Sequence, residues 1–396
     1  MRILMLAWDF PPQVSGGTAA HVVGLADSLA QAGHDVIVLT IDDPRADRAA
    51  DLAGPVPVLR TPHDVPWIPP DRMLAQTAST GHGLVQLSRE VERRFDGWRP
   101  DVVHGHDWRV GWPADTLAEL YDVPFVLTMH GTERVRHGGN LPPGQATDIS
   151  AIEWWLAFRA HRLISPTRFI VDQLVDNFEI SPDRIIRIPN GIDPALWGGV
   201  DPDATPPERE PLVVSWGRVQ FEKGFQVLAA AMASVRSRVD GSSCVIAGRG
   251  SYLPELQTRI DVEGVSDVVE LPGFLRADEL RRLLQRAGCV VIPSLYEPFG
   301  IVALEALAAG APLIVAHTGG LAELVDGTEA GVSFEPGNPD DLARQIAAVL
   351  ESPTLAASLR AAAAQLIAER HAWPDVAAAT SALYHRVIGN GTGDTR

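Results

Sequence analysis

Short apolar runs alternate with helix-length amphipathic stretches along almost the whole chain. RILMLA at residues 2–7 is followed by a glycine turn and the helix-like GTAAHVVGLADSLAQAG, then by DVIVLT. DVVHGH, PFVLTMHG, HRLISP and RIIRIPNG come later, with helical segments between most of them. Strand and helix units in alternation build a parallel sheet covered on both faces. The second half repeats the plan with PLVVSWG, a helix from about Gly224, then CVIAG, VVELPG, CVVIPS and PLIVAH. Between the halves, WGGVDPDATPPEREP is rich in proline, glycine and acid and reads as a linker.

The pattern predicts an α/β protein of two doubly wound parallel-sheet domains, residues 1–196 and 212–373, joined by residues 197–211. Two such domains create a cleft, and ligands of these sheets bind outside the carboxyl ends of the strands. The alanine-rich end from Pro353 to Ile388 reads as two helices interrupted near Trp373 and Pro374. The final helix, about 374–390, is expected to pack back on the first domain. Residues 71–98 carry Arg89, Arg93 and Arg94 beside Glu90 and Glu92, the signature of a solvated helix.

The length of 396 residues suits two domains, and 46% hydrophobic with 21% charged residues is the balance of a globular chain. No apolar run approaches the roughly 20 residues of a membrane-spanning helix. The opening MRILMLAWDFPP is too short in its apolar part for a signal peptide and reads as a buried strand. Cys244 and Cys289 lie in separate apolar runs without metal-ligand spacing, which suits core thiols and a reduced cytoplasm. A net charge of −17 argues against nucleic acid or an anionic membrane as partner. It leaves room for a small anionic ligand, because a few local cations dominate one cleft. Lys223 is the only lysine in the chain, and so invites a role.

Four segments carry candidate chemistry. In SLYEPFGIVALEALAAG, residues 294–310, a strand ends at Ser294 and a helix begins near Phe299 or Gly300. Glycine there permits close ligand approach, and first-turn amides lacking intrahelical acceptors seat a phosphate with help from the helix dipole. Glu297 precedes the helix and Glu305 lies eight residues on, inside it. Paired carboxylates also suit a glycosidase, but a helix end built for an anion favours hydroxyl recognition. In SWGRVQFEKGFQVL, residues 215–228, Arg218 follows a strand and Lys223 stands just before a helix. A turn of this kind aims both cations at one diphosphate; a surface pair is the plain alternative.

Gly16 and Gly17 follow the first strand and resemble a phosphate-approach loop, without a full dinucleotide fingerprint. His104, His106 and His130 fall at strand ends. His104, His106 and Asp107 would begin a metal site, but no further ligand is specified. Polar core or substrate-shell roles are therefore preferred, with His130 the candidate for touching a sugar and no metal expected.

In this order the segments resemble glycosyltransferase family 4, whose members have the GT-B fold of two Rossmann-like domains. EPFGIVALE, GRVQFEKG and IPNGID at residues 188–193 carry the resemblance, which spans nearly the whole chain. It implies that Arg218 and Lys223 bind the donor diphosphate, that Glu305 accepts from the donor ribose, and that Glu297 contacts hydroxyls of the transferred sugar. Amides around Phe299, Gly300 and Ile301 would support sugar and phosphate, and Leu275 would present backbone groups to the base. Gly17 would let its loop approach phosphate or acceptor, and His130 would lie near the sugar C6 hydroxyl and the reacting face.

Such enzymes retain anomeric configuration and need no bound metal or other cofactor. DVVHGHDW is similar to the HxHDW stretch of bacterial glycogen and starch synthases, and AWDFPP to the openings of actinobacterial α-glucan synthases. QVSGG lacks the lysine of the KxGG motif in glycogen synthases of the larger sister family.

The sequence thus predicts a metal-independent, retaining hexosyltransferase. It would move glucose in α-1,4 linkage from UDP- or ADP-glucose to a glucan or oligosaccharide. Mannosyl transfer to a lipid or glycan is the nearest alternative, followed by a sugar-nucleotide epimerase or hydrolase and by a noncatalytic sugar- or nucleotide-binding protein. Donor base, acceptor and oligomeric state stay open.

Overall fold

A computed structural model describes residues 1–13, 17–63, 65–69, 71–198 and 209–389. The chain divides into two compact units, Met1–Gly191 with the segment from Trp373, and Ile192–Ala372. The first division falls ahead of the boundary expected at 196. Of the expected linker, residues 199–208 lie outside the described residues; Pro194–Trp197 is a 3-10 turn on one side.

The first unit runs β1 (Arg2–Leu6), α1 (Gly17–Gln31), β2 (Asp35–Ile41), α2 (Arg48–Ala53), β3 (Val58–Thr61), α3 (Met73–Arg94), β4 (Val102–His106) and α4 (Trp108–Tyr121). It continues with β5 (Phe125–Thr128), α5 (Glu133–Arg136), α6 (Gln145–Arg159), β6 (Arg162–Ser165), α7 (Arg168–Phe178) and β7 (Ile185–Arg187). The sheet order is β3-β2-β1-β4-β5-β6-β7, with every neighbouring pair parallel. Ile3, Leu4, Met5 and Leu6 of β1 are all buried, which is why the run reads apolar throughout instead of alternating. Ala19, Val22, Leu25, Ala26 and Leu29 place one apolar stripe of α1 in the core.

The second unit runs β8 (Glu210–Arg218), α8 (Phe225–Arg238), β9 (Ser243–Arg249), α9 (Leu253–Val262), β10 (Val269–Gly273), α10 (Ala277–Arg286) and β11 (Ala287–Ile292). Then come α11 (Ile301–Ala308), β12 (Leu313–Ala316), α12 (Gly319–Val325), β13 (Val332–Phe334), α13 (Pro339–Glu351) and α14 (Pro353–Arg370). Its sheet is also parallel, in the order β10-β9-β8-β11-β12-β13. Both cysteines are free and buried in this sheet, and loss of water pushes the Cys289 thiol up to about 12.

The last helix, α15 (Trp373–Gly389), returns to the first unit and packs on α1. Its Trp373 indole occupies space that a side chain would fill at two glycines. A Cβ would lie 2.1 Å from the ring at Gly24 and 2.5 Å at Gly191, the glycine of IPNGID. The break between α14 and α15 falls at His371 and Ala372.

Candidate functional site

Each sheet reverses its strand order once, between β1 and β4 and between β8 and β11. At such a reversal the flanking loops diverge and leave a crevice at the carboxyl ends, the usual ligand position of doubly wound sheets. In the second unit the two flanking loops are those that hold the Arg218/Lys223 and Glu297/Gly300 segments.

After β8 the chain passes exposed Arg218 and makes a 3-10 turn at Phe221–Lys223. Gly224, with φ +70, then caps α8. After β11 it turns through Pro293 to Pro298 and enters α11 at Gly300, with φ +89 and no side-chain cap. The loops are tied together: Leu295 N–H donates to the Glu222 carbonyl at 2.8 Å, and Lys223 Nζ donates to Glu297 Oε2 at 2.6 Å. Ser294 Oγ–H donates to the same carboxylate oxygen at 3.1 Å. Both partners of the ion pair are largely buried, at 19% and 11% side-chain exposure, so water screens the pair poorly.

The first turn of α11 leaves its amides without a side-chain acceptor beside this pair, an arrangement suited to an anion. Phe299 is half-buried with its ring edge-on to His371, and Ile301 opens the helix. Leu275 lies half-buried in the loop between β10 and α10.

Glu305 accepts the indole N–H of Trp216 at 3.2 Å. Loss of water raises its carboxyl to about 7 from 4.5, and the indole hydrogen bond offsets part of that rise. Between those values the native carboxyl holds a proton that the unfolded chain has released, so stability falls as pH rises through the window. Glu305→Gln is therefore expected to raise the melting temperature of the free protein near pH 8, each kcal/mol of relief being worth about 2–4 °C. It should have no effect below about pH 4.5, where both states are protonated. Calorimetry across that range checks it, and equal melting points near pH 8 would contradict it.

Arg249 was not a candidate from the sequence. It ends β9 in register with Arg218, one strand over, and its guanidinium stands 5.5 Å from the ring centre of exposed Phe274. The available signal was the Gly-Arg ending shared by both strands, Gly217-Arg218 and Gly248-Arg249.

In the first unit, Gly16 lies outside the described residues and Gly17 opens α1. His104 is buried and paired at both nitrogens, at 2.7 Å with Thr128 Oγ1 and at 2.6 Å with the Tyr384 hydroxyl of α15. His106 Nδ1 meets His130 Nε2 at 3.4 Å, and the backbone N–H of His130 donates to Asp107 at 2.8 Å. Burial lowers His130 to about 4 and raises Asp107 to about 6.

His21 of α1 completes the cluster, with Asn190 as its polar neighbour, and it too escaped the sequence reading. The metal grouping conceived from sequence, His104 with His106 and Asp107, is not the one that forms. His21, His106 and His130 instead bring one nitrogen each to within 4.8 Å of the others, close enough to share an ion. Burial and mutual repulsion hold the rings of His21 and His106 neutral.

The model described as Glycosyltransferase Family 4 matches residues 15–196, and Glycosyl transferases group 1 matches residues 201–366. Over 395 residues the chain is 36% identical to glycogen synthase of Mycobacterium tuberculosis, covering 97% of this chain and 94% of the relative. Sucrose-phosphate synthase of Thermosynechococcus elongatus is similar in structure with a TM-score of 0.80 at 21% identity, covering 98% of this chain and 100% of the other. HepE of Anabaena in complex with UDP and glucose gives 0.76 at 20% identity, covering 98% and 100%. At these identities the structural likeness is one of fold.

Proposed function

The chain belongs to glycosyltransferase family 4 and has the GT-B fold, and from that premise we propose that it is a retaining, metal-independent α-1,4-glucosyltransferase. UDP- or ADP-glucose is the donor, and a glucan or oligosaccharide the acceptor. The reading rests on the 2.6 Å pair of Lys223 and Glu297, set at the strand reversal of the six-stranded sheet beside the uncapped start of α11. The name of the mycobacterial relative supports glucose as the sugar.

In this mechanism Arg218, Lys223 and the amides of Gly300 and Ile301, with Phe299 beside them, hold the donor diphosphate. Charge grows there as the bond from C1 to the phosphate oxygen breaks, so fixed cations favour the transition state over the ground state. The acceptor oxygen bonds to C1 on the same face, and its proton passes to the departing diphosphate. Glu297 orients sugar hydroxyls, Glu305 accepts from the ribose, and the backbone at Leu275 meets the base. Gly17 lets its loop approach phosphate or acceptor. His130, neutral above about pH 4, contributes a hydrogen bond to the sugar without adding charge.

Transfer in excess EDTA tests the metal-independent form. Glucosylated maltooligosaccharide, with the α-anomer retained by NMR, is expected at an undiminished rate, with metal content well below one ion per chain. A rate abolished by EDTA and restored by one divalent ion would assign the three histidines a metal instead. GDP-mannose as the preferred donor, or a changed sugar nucleotide without acceptor, would overturn the glucosyl reading.

A further inference from the structure

We propose that His21, His106 and His130 form a binding site for a zinc-class divalent cation, and that the bound ion inhibits sugar transfer without being required for it. The site stands apart from the glucosyltransferase reading; only its inhibitory effect rests on that reading. His21 belongs to α1, His106 ends β4, and His130 lies two residues beyond β5. The three converge at the strand reversal between β1 and β4, from elements far apart in the chain. Their ring centres stand 4.7 to 5.7 Å apart, and one nitrogen from each lies within 4.8 Å of the other two.

Nitrogens bound at about 2.0–2.1 Å to one tetrahedral ion sit about 3.4 Å from each other. Side-chain rotation therefore has at most about 1.4 Å to close. His106 Nδ1 and His130 Nε2 already stand at 3.4 Å, which is long for a hydrogen bond between them.

Hydrogen bonding sets these rings apart from their neighbour His104. Thr128 and Tyr384 pair both nitrogens of His104, so that ring is complete as a structural residue. His21 is 3% exposed, and neither of its nitrogens has a hydrogen-bond partner among the described residues, although Asn190 lies close by. His106 is 1% exposed, and its Nε2 is likewise unpartnered among them. Unpaired imidazole nitrogens in a buried place are costly, and a shared cation takes up their lone pairs. Sealing from water suits an ion, which lies inside its own ligand set. Trp373 at 5.7 Å from His21 and His104 at 4.2 Å from His106 wall the cluster, while half-buried His130 leaves the way in.

A ligand set of three imidazoles selects zinc, copper, nickel or cobalt over magnesium or calcium, which prefer oxygen. A bound ion takes His130 away from the sugar hydroxyl it serves during transfer. Its double positive charge also opposes the positive charge that grows on the sugar ring as the C1 bond breaks.

The test uses the full chain, stripped with EDTA and desalted, with Zn²⁺, Co²⁺ and Mg²⁺ as probes. Calorimetry should give one tightly bound Zn²⁺ per chain and no binding of Mg²⁺. Co²⁺ should produce the visible absorption of a low-coordinate site, which Zn²⁺ then abolishes, and this readout needs no variant. His21→Asn and His106→Asn should each weaken Zn²⁺ binding by at least about 100-fold, because loss of a mere supporting partner already costs roughly 10–100-fold. His317→Asn, which removes an exposed histidine beside Asp326, should leave the tight site unchanged. Saturating Zn²⁺ should slow transfer by at least about tenfold, with its midpoint at the calorimetric Kd.

Equal Zn²⁺ affinity in the parent and both cluster variants, or no visible Co²⁺ band in the parent, would overturn the site. Equal binding of Mg²⁺ would overturn the class of ion. Zn²⁺ held by the cluster at an undiminished transfer rate would overturn the inhibition and take His130 away from the sugar. Transfer lost on stripping and restored by Zn²⁺ would make the ion a cofactor and overturn its inhibitory role. A chain that turns over no sugar nucleotide would remove the glucosyltransferase reading and the inhibition with it, while the calorimetric and Co²⁺ readouts still decide the site.

Discussion

Lys223→Ala is expected to lower kcat/KM for sugar transfer by about two to three orders of magnitude, and to lower the melting temperature as well, because it leaves a largely buried carboxylate without its cation. Lys223 is the chain's only lysine and donates to Glu297 at 2.6 Å in a place where water screens poorly. Its removal takes away a cation from the departing diphosphate. It also leaves the Glu297 carboxylate, among the described residues, with the Ser294 hydroxyl alone on Oε2, where it repels the same anion. Two penalties then arise from one substitution.

Combining Lys223→Ala with Glu297→Gln relieves the second penalty. The double variant should therefore be less impaired than the product of the single effects, the mark of coupled neighbours. Lys223→Arg should recover only part of the rate, because a rigid fork does not reproduce a compact ammonium. Steady-state kinetics with saturating acceptor, together with nucleoside-diphosphate affinity, decide the point. A rate for Lys223→Ala within threefold of the parent would remove the residue from the donor site.

Gly224→Ala should be among the most damaging single methyl groups in the second unit, costing about 3–5 kcal/mol of stability and the transfer activity with it. A Cβ there would sit 1.8 Å from the Pro293 carbonyl oxygen and 2.7 Å from its carbon, and both are backbone atoms at the end of β11. The positive φ of +70 adds strain for any residue with a side chain. The two site loops would have to separate, breaking the Leu295 to Glu222 hydrogen bond and parting Lys223 from Glu297.

Gly264→Ala is the matched control. Its φ is +67 and nothing lies within 4 Å of the added atom, so it should cost only about 1 kcal/mol. Thermal melts of both variants compare strain with strain plus collision. Equal losses would mean that the contact with Pro293 is not what fixes these loops.

The central strands were legible because burial on both faces makes β1, β2, β8 and β11 read as continuous apolar runs. The edges were not. β3 is four residues set among prolines, and β13 is three residues. Neither is long enough for periodicity to register.

The donor-side loops stood out because their chemistry is local, within a few residues of Arg218 and of Glu297. That Lys223 and Glu297 touch across 74 positions of chain follows from β8 and β11 being neighbours, which strand order decides and residue spacing does not. His21 stayed hidden for a similar reason. It is one polar residue on an otherwise apolar helix face, and only the folding of α1 over the sheet brings it to His106 and His130.

The return of α15 has a bearing on biosynthesis. Ile192–Ala372 is one uninterrupted stretch, whereas its companion unit is assembled from segments on either side of that stretch. During translation the inserted unit has all its parts before the other does, because the Trp373 indole that sits against Gly24 and Gly191 is made after it, with the rest of α15. Until then α1 keeps an apolar stripe open to solvent, and a nascent chain at that stage is a natural client for a chaperone that shields such surface.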